Sequence, residues 1–172
     1  MRRSLIIVAA LAAVTTTLVG CGPASSNDAG DGPGGNGGNG GNRASCDVAP
    51  ASLVKQTLGV DVAEPSATEN GSVLVCTYSP APGASDTVIL RIDTASGAEQ
   101  FQTTRDQYAT QNMQTADYPG FADEAYTNSI SAIGITTNTL VARMGTVEVQ
   151  VSSSASFDQE KSLEQKIFDA LG

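Results

Sequence analysis

"SVLVCTYSPAPGASDTVILRID", residues 72–93, decides the fold. Two runs rich in β-branched residues, 72–78 and 86–93, flank the loop SPAPGAS, and that arrangement reads as two strands joined by a Pro/Gly connection. In the second run Val88, Leu90 and Ile92 point one way while Arg91 and Asp93 point the other. That alternation is the mark of a sheet buried on one side and wet on the other.

Working outward from this pair, the C-terminal half holds three more extended segments, SISAIGI (129–135), TLVARM (139–144) and VEVQV (147–151). Gly145-Thr146 supplies a tight turn between the last two, and Val147, Val149 and Val151 alternate with Glu148 and Gln150. Three helices complete the pattern. Pro50 and Gly59 frame ASLVKQTL, with Leu53, Val54 and Leu58 facing the core. Between Ser96 and Met113, Phe101, Tyr108 and Met113 share one stripe at roughly helical spacing, as packing onto the sheet requires. Ser156-Phe157-Asp158-Gln159 reads as a capping box, and Leu163, Ile167, Ala170 and Leu171 form the stripe of the helix it opens. Short connections imply antiparallel pairing, and amphipathic helices must cover the apolar face of the sheet. The expected fold is α+β, a single antiparallel sheet of about five strands with helices packed mainly on one face.

Residues 1–20 read differently. Arg2 and Arg3 precede the unbroken apolar run Leu5–Val14, then threonines and small residues lead to Cys21, the layout of an export signal. A membrane span would need about 20 predominantly apolar residues, and this stretch is too short. Leu18-Val19-Gly20-Cys21 resembles the lipobox of bacterial lipoproteins, in which the signal is cut before the cysteine and its sulfur carries diacylglycerol. The resemblance implies a membrane anchor through lipid on Cys21 and a place on the extracytoplasmic face of the cell membrane. Two or more acyl chains anchor stably where one holds only marginally. Residues 21–44 then form a Gly/Asn-rich linker too poor in apolar side chains to offset its ordering entropy. As a flexible coil its root-mean-square reach is roughly 25–30 Å. The globular domain is expected over 45–172.

Charge and composition exclude some partners. Losing Arg2 and Arg3 with the signal leaves 7 basic against 18 acidic side chains. That balance disfavours nucleic acid, whose binding relies on cations displacing counterions. Without histidine, Ser/His/Asp and Cys/His arrangements cannot form. Asp123-Glu124 is the only adjacent carboxylate pair near turn residues and reads as a solvated turn. No Ca²⁺ loop pattern is present. The expectation is a non-catalytic protein without cofactor or metal. Cys46 and Cys76 are the two cysteines left after Cys21; in an exported chain a disulfide is expected, with free buried thiols as the alternative.

Cys46 with the ASLVKQTLG helix, VCTYS around the second cysteine, PGFADEAY (119–126) and the terminal helix together resemble short actinobacterial cell-envelope lipoproteins of unknown function. The nearest such family is domain of unknown function 3558. The resemblance implies a cell-envelope lipoprotein and carries over no catalytic residue. Two binding readings follow. One is an interaction domain contacting an envelope protein or polymer through the loop holding Tyr118, Phe121 and Tyr126; the other is a carrier of a lipid or other small apolar ligand between sheet and helices. An enzyme with an unfamiliar site is the third.

Overall fold

In the computed structural model, which describes residues 44–110, 113, 115–132 and 134–172, the two decisive runs form adjacent antiparallel strands. The signal, Cys21 and residues 21–43 of the linker lie outside the described residues. The strands are β1 (Ser66–Asn70), β2 (Val73–Tyr78), β3 (Val88–Asp93), β4 (Thr115–Asp117), β5 (Glu124–Ala132), β6 (Ile135–Met144) and β7 (Val147–Ser153). The helices are α1 (Ala51–Leu58), α2 (Ala98–Thr110) and α3 (Phe157–Leu171). All strands join one antiparallel sheet in the order β1-β2-β3-β7-β6-β5-β4.

The fold is α+β as expected, but the sheet has seven strands rather than about five. The two extra strands are the edges. Each residue of β1 (SATEN) is exposed, so it carries no apolar alternation and is held by its ladder to β2. β4 is three residues long. The segment SISAIGI also resolves differently. It straddles the hairpin between β5 and β6, and the DEAY stretch already belongs to β5 from Glu124 onward.

Register sorts every strand residue onto one of two faces. Leu74, Cys76, Leu90, Ile92, Val149, Val151, Leu140 and Ala142 share the first face and are almost wholly buried. Helices α1 and α3 pack there, bringing Val54, Leu58, Leu163, Ile167 and Phe168 into one core. The helix ends are where local chemistry places them. Gly59 takes the left-handed conformation (φ 73°) that closes α1, and Ser156 with Gln159 forms the capping box of α3. The stripe of α3 needs correcting, however. Ala170 is exposed, while Phe168, Glu160 and Glu164 are inside.

Helix α2 lies against the opposite face, where Phe101 packs with Tyr126 and Val141. Among the described residues the helices are therefore divided between both faces, two against one. The chain leaves central β3, passes through α2 to the far edge strand β4, and returns by a meander to pair β7 with β3. The first face is fastened at its N-terminal end by the Cys46–Cys76 disulfide, with Cα atoms 5.8 Å apart, and by Tyr78, whose buried hydroxyl donates to Ala49 O.

Candidate functional site

The second face is the one whose side chains are not all used up by packing. Its upper end, beside the start of α2, is a set of charge pairs. Asp93 and Glu148 face each other across the β3–β7 pair, both almost fully buried. Arg91 serves both, through Nη2 to Asp93 (3.1 Å) and Nη1 to Glu148 (2.5 Å). The second oxygen of Glu148 accepts from Ser96 Oγ at 2.6 Å, and Asp93 accepts from Ala95 N at 3.0 Å. Buried charges persist only when paired in this way, and here they pin the loop that leads into α2. At the adjoining turn Asp123 accepts from Gly145 N (2.8 Å) and Arg143 donates to Glu124 (3.4 Å). Asp123-Glu124 is thus a brace between β5 and the β6–β7 turn.

Below this, the described part of α2 ends at Thr110. Its aromatic contacts lie at the Tyr126–Val141 row, and among the described residues no helix lies over the next rows, Asn128–Thr139–Ser152–Ile89 and Ile130–Thr137. A groove of about 260 Å³ opens there between the sheet and the end of α2, with Tyr108 and Met113 on its helical side. Ile89 and Ile130 at its rim are 40% and 48% exposed, a large apolar exposure for side chains on the face of a sheet. No lining side chain among the described residues is charged.

The groove's floor holds the anomaly. Tyr126 and Asn128, two residues apart on one face of β5, both line it. The Tyr126 hydroxyl and Asn128 Nδ2 are buried and have no hydrogen-bond partner among the described residues. Leaving one buried polar group unpaired costs about 1–3 kcal/mol. Burial, with some help from neighbouring Tyr108 and Glu148 against the opposing pull of Arg91 and Arg105, raises the Tyr126 phenol well above its ordinary value. It is a neutral O–H shut away from solvent beside the groove.

The loop singled out in the sequence is built otherwise than as one aromatic surface. Phe121 is buried in the first core against Phe168, ring centroids 6.3 Å apart, and Tyr126 is buried in the second. Tyr118 alone keeps part of its ring at the surface, and its hydroxyl donates to Asp158 at 2.9 Å beside Lys161. These aromatics fix the segment to α3 and the sheet. A polar cleft of about 280 Å³ does separate residues 117–125 from α2, bounded by the Arg105–Asp117 ion pair.

Two further titratable groups escaped the sequence reading. Glu160 and Glu164, one turn apart on α3, have no exposed surface. Glu160 accepts from Ser153 Oγ (2.7 Å) and Glu164 from Val151 N (3.2 Å), and the other oxygen of each has no partner among the described residues. Burial pushes the Glu160 carboxyl up to about 8, and burial together with Glu160 pushes Glu164 well above the usual range. Sealed inside the core, neither can meet a solute without the helix lifting. Among the described residues no three Cys, Asp or Glu side chains gather as a metal site.

No protein-family model matches the chain, and the comparison with curated proteins gives no match either.

Proposed function

We propose that this protein is a lipid-anchored binding domain of the cell envelope that holds a small apolar ligand in the groove beside α2. The observation that carries the reading is the groove itself: a half-open site with no charged side chain among its described lining residues, rimmed by exposed Ile89 and Ile130 and carrying the polar side chains of Thr137, Thr139, Gln150 and Ser152. Ligand sites combine apolar walls with a few placed polar groups in this way. The anchor comes from the lipobox at Leu18–Cys21, with the Gly/Asn-rich linker holding the domain close to the membrane surface on its extracytoplasmic side. The disulfide accords with an oxidising compartment. The role is non-catalytic: Asp93 and Glu148 are committed to Arg91, and Glu160 and Glu164 are shut in the core. Membership of the domain of unknown function 3558 family is part of the proposal, resting on the cysteine spacing and the PGFADEAY stretch. Contact with an envelope protein or polymer through the 118–126 loop is the weaker reading, because two of its three rings are interior.

The anchor is tested by intact mass: the wild-type chain carries the diacylglyceryl increment, and Cys21→Ala lacks it. The groove is tested by photolabelling isolated membranes that bear the full chain with an alkyl diazirine. Label is expected on β5 and β6 peptides of the wild type and lost in Ile130→Asp, with α1 peptides as the internal control. Equal labelling of both variants overturns the groove assignment.

A further inference from the structure

We infer that the tip of the β5–β6 hairpin is a second membrane contact, its face carrying Ile130, Ala132 and Ile135 set into the surface of the bilayer that holds the lipid on Cys21. This rests on the lipid anchor of the proposed function and not on the groove having a ligand.

The hairpin outruns the sheet. β4 leaves β5 at the Thr115–Asn128 pair and β7 leaves β6 at Ser153–Asn138. Beyond them residues 130–132 and 135–137 pair only with each other, and all of these are exposed. Register makes this ribbon two-sided. Ile130 faces Thr137 and Ala132 faces Ile135, and alternation along each strand puts all four on the second face of the sheet. Ser129, Ser131, Thr136 and Asn138 take the other face. There Ser129 donates to Asn138 (2.7 Å) and the Ser131 and Thr136 hydroxyls bond each other at 2.9 Å. One side is a satisfied polar ladder, and the other is bare. Ile135, 65% exposed, is the most exposed large apolar side chain among the described residues.

Charge and size name what covers it. From Ala125 to Ala142 the sequence has no Asp, Glu, Lys or Arg, in a chain with 18 acidic and 9 basic side chains elsewhere. A charged partner finds nothing to pair with on the ribbon. A bilayer surface can take it in without pulling a charge out of water, which is costly. A second copy is a poor occupant, because two isoleucines and an alanine fall far short of the roughly 800 Å² per partner that a stable interface buries. Fully burying an exposed isoleucine contributes only about 1.5–3 kcal/mol, so the ribbon alone would hold a free protein on a bilayer weakly. The anchor changes that. A short flexible tether supplies an effective concentration on the order of millimolar, at which a weak contact is enough.

The tether is also long enough. Cys46, bonded to Cys76, lies at the level of the Cys76–Leu90–Val151–Leu140 row. Ile135 is five residues from Leu140 on β6, so about 17 Å from that row along the strands and about 14 Å across three strand spacings. The two offsets combine to about 22 Å, within the roughly 25–30 Å that residues 21–43 reach as a coil. Lipid and ribbon can therefore meet one bilayer.

The experiment uses the full mature chain with its lipid, in vesicles of phosphatidylethanolamine and phosphatidylglycerol in equal parts, with or without bromine on the acyl chains. The chain has no tryptophan. Ile135→Trp therefore places a single reporter on the ribbon, and Gln165→Trp places one on the exposed side of α3. Ile135 does not line the groove, so its reporter reads the ribbon and not a ligand. On reconstitution the reporter at 135 should shift to the blue and lose most of its emission to the brominated chains; the reporter at 165 should do neither. In the Ile135→Trp background, Ala132→Asp puts a charge on the apolar face and should abolish the quenching. Ser131→Asp, on the polar face, should leave most of it, which shows that tryptophan's own affinity for the bilayer is not the cause. No quenching at 135, equal quenching at both reporters, or equal effects of the two aspartates overturns the inference. A blue shift without quenching that grows with protein density assigns the ribbon to a second copy and overturns it too. An intact mass without the lipid overturns the anchor reading and this inference with it, whereas a lipidated chain with a silent reporter overturns this inference alone.

Discussion

Each face of the sheet buries one tyrosine almost completely, Tyr78 on the first and Tyr126 on the second, and among the described residues only the Tyr78 hydroxyl has a partner. The contrast runs through everything around them. On the first face two helices and the strand residues fill one continuous core, and the Tyr78 hydroxyl is spent on Ala49 O. On the second, α2 covers part of the surface, and polar residues alternate with isoleucines beyond it. The difference teaches where to look for a ligand: a fold whose stability is supplied by one face can leave the other incompletely packed at little cost to the whole.

The comparison breaks if the two faces prove equally sensitive to truncation. Leu140 and Thr139 are neighbours on β6 and point to opposite faces. Leu140→Ala, at a site with no exposure, should cost about 2–5 kcal/mol, read from the urea midpoint. Thr139→Ala should stay within roughly 0.5 kcal/mol, as partly exposed positions outside the core usually do.

The disulfide offers the next largest effect. It closes a separation of 30 residues on the first face. Replacing both Cys46 and Cys76 by Ser should lower stability by about 3 kcal/mol in the chain-entropy account, with far-ultraviolet circular dichroism unchanged at low temperature. The groove lies outside that loop, so photolabelling there should survive. Its loss along with the bridge would mean that the two faces are not independent.

Acidity sharpens the contrast further, because the sealed acids belong to the first face. The folded protein holds a proton on Glu160 up to about pH 8, while the unfolded chain releases it near the ordinary 4.5. Between those values the folded state binds more protons, so stability falls as pH rises, by up to about 1.4 kcal/mol per unit. Urea midpoints should therefore be higher near pH 5 than near pH 8. Glu160→Gln, which imitates the protonated acid, should flatten much of that slope; an unchanged slope would mean that the carboxyl is not the titrating group.

The smallest effect is the most direct. Tyr78→Phe leaves Ala49 O buried without its donor and should cost about 1–2 kcal/mol, whereas Tyr126→Phe removes a group with no partner among the described residues and should be neutral or slightly stabilising. Paired thermal melts read both. A comparable loss in the two would show that Tyr126 has a structural partner after all.

How much of this the sequence disclosed depended on whether one strand could be read by itself. β2, β3 and β7 announce themselves because one side of each is apolar, and α1 and α3 because their caps are local chemistry. β1 has no apolar residue but Ala67, and only its partner makes it a strand. The groove is harder still. Ile89, Asn128, Thr139 and Ser152 lie far apart in the chain and become one row only through the register of β3, β7, β6 and β5. Tyr126 was noticed as part of an aromatic loop, when its role comes from being on a strand beneath α2. Glu160 and Glu164 give no local sign that this side of α3 turns inward, since glutamate is rarely buried.

The disulfide has one more consequence, a mechanical one. Cys46 is two residues past the start of the described chain, and its bond leads straight into β2. A pull on the segment ahead of Cys46 is handed across the sulfurs to β2 and through the ladder to β3 and β7. The intervening stretch, with α1 and β1 in it, is short-circuited and bears no load. A domain tugged from that end is gripped through its sheet, and the force is shared among many ladder hydrogen bonds before any helix begins to unwind.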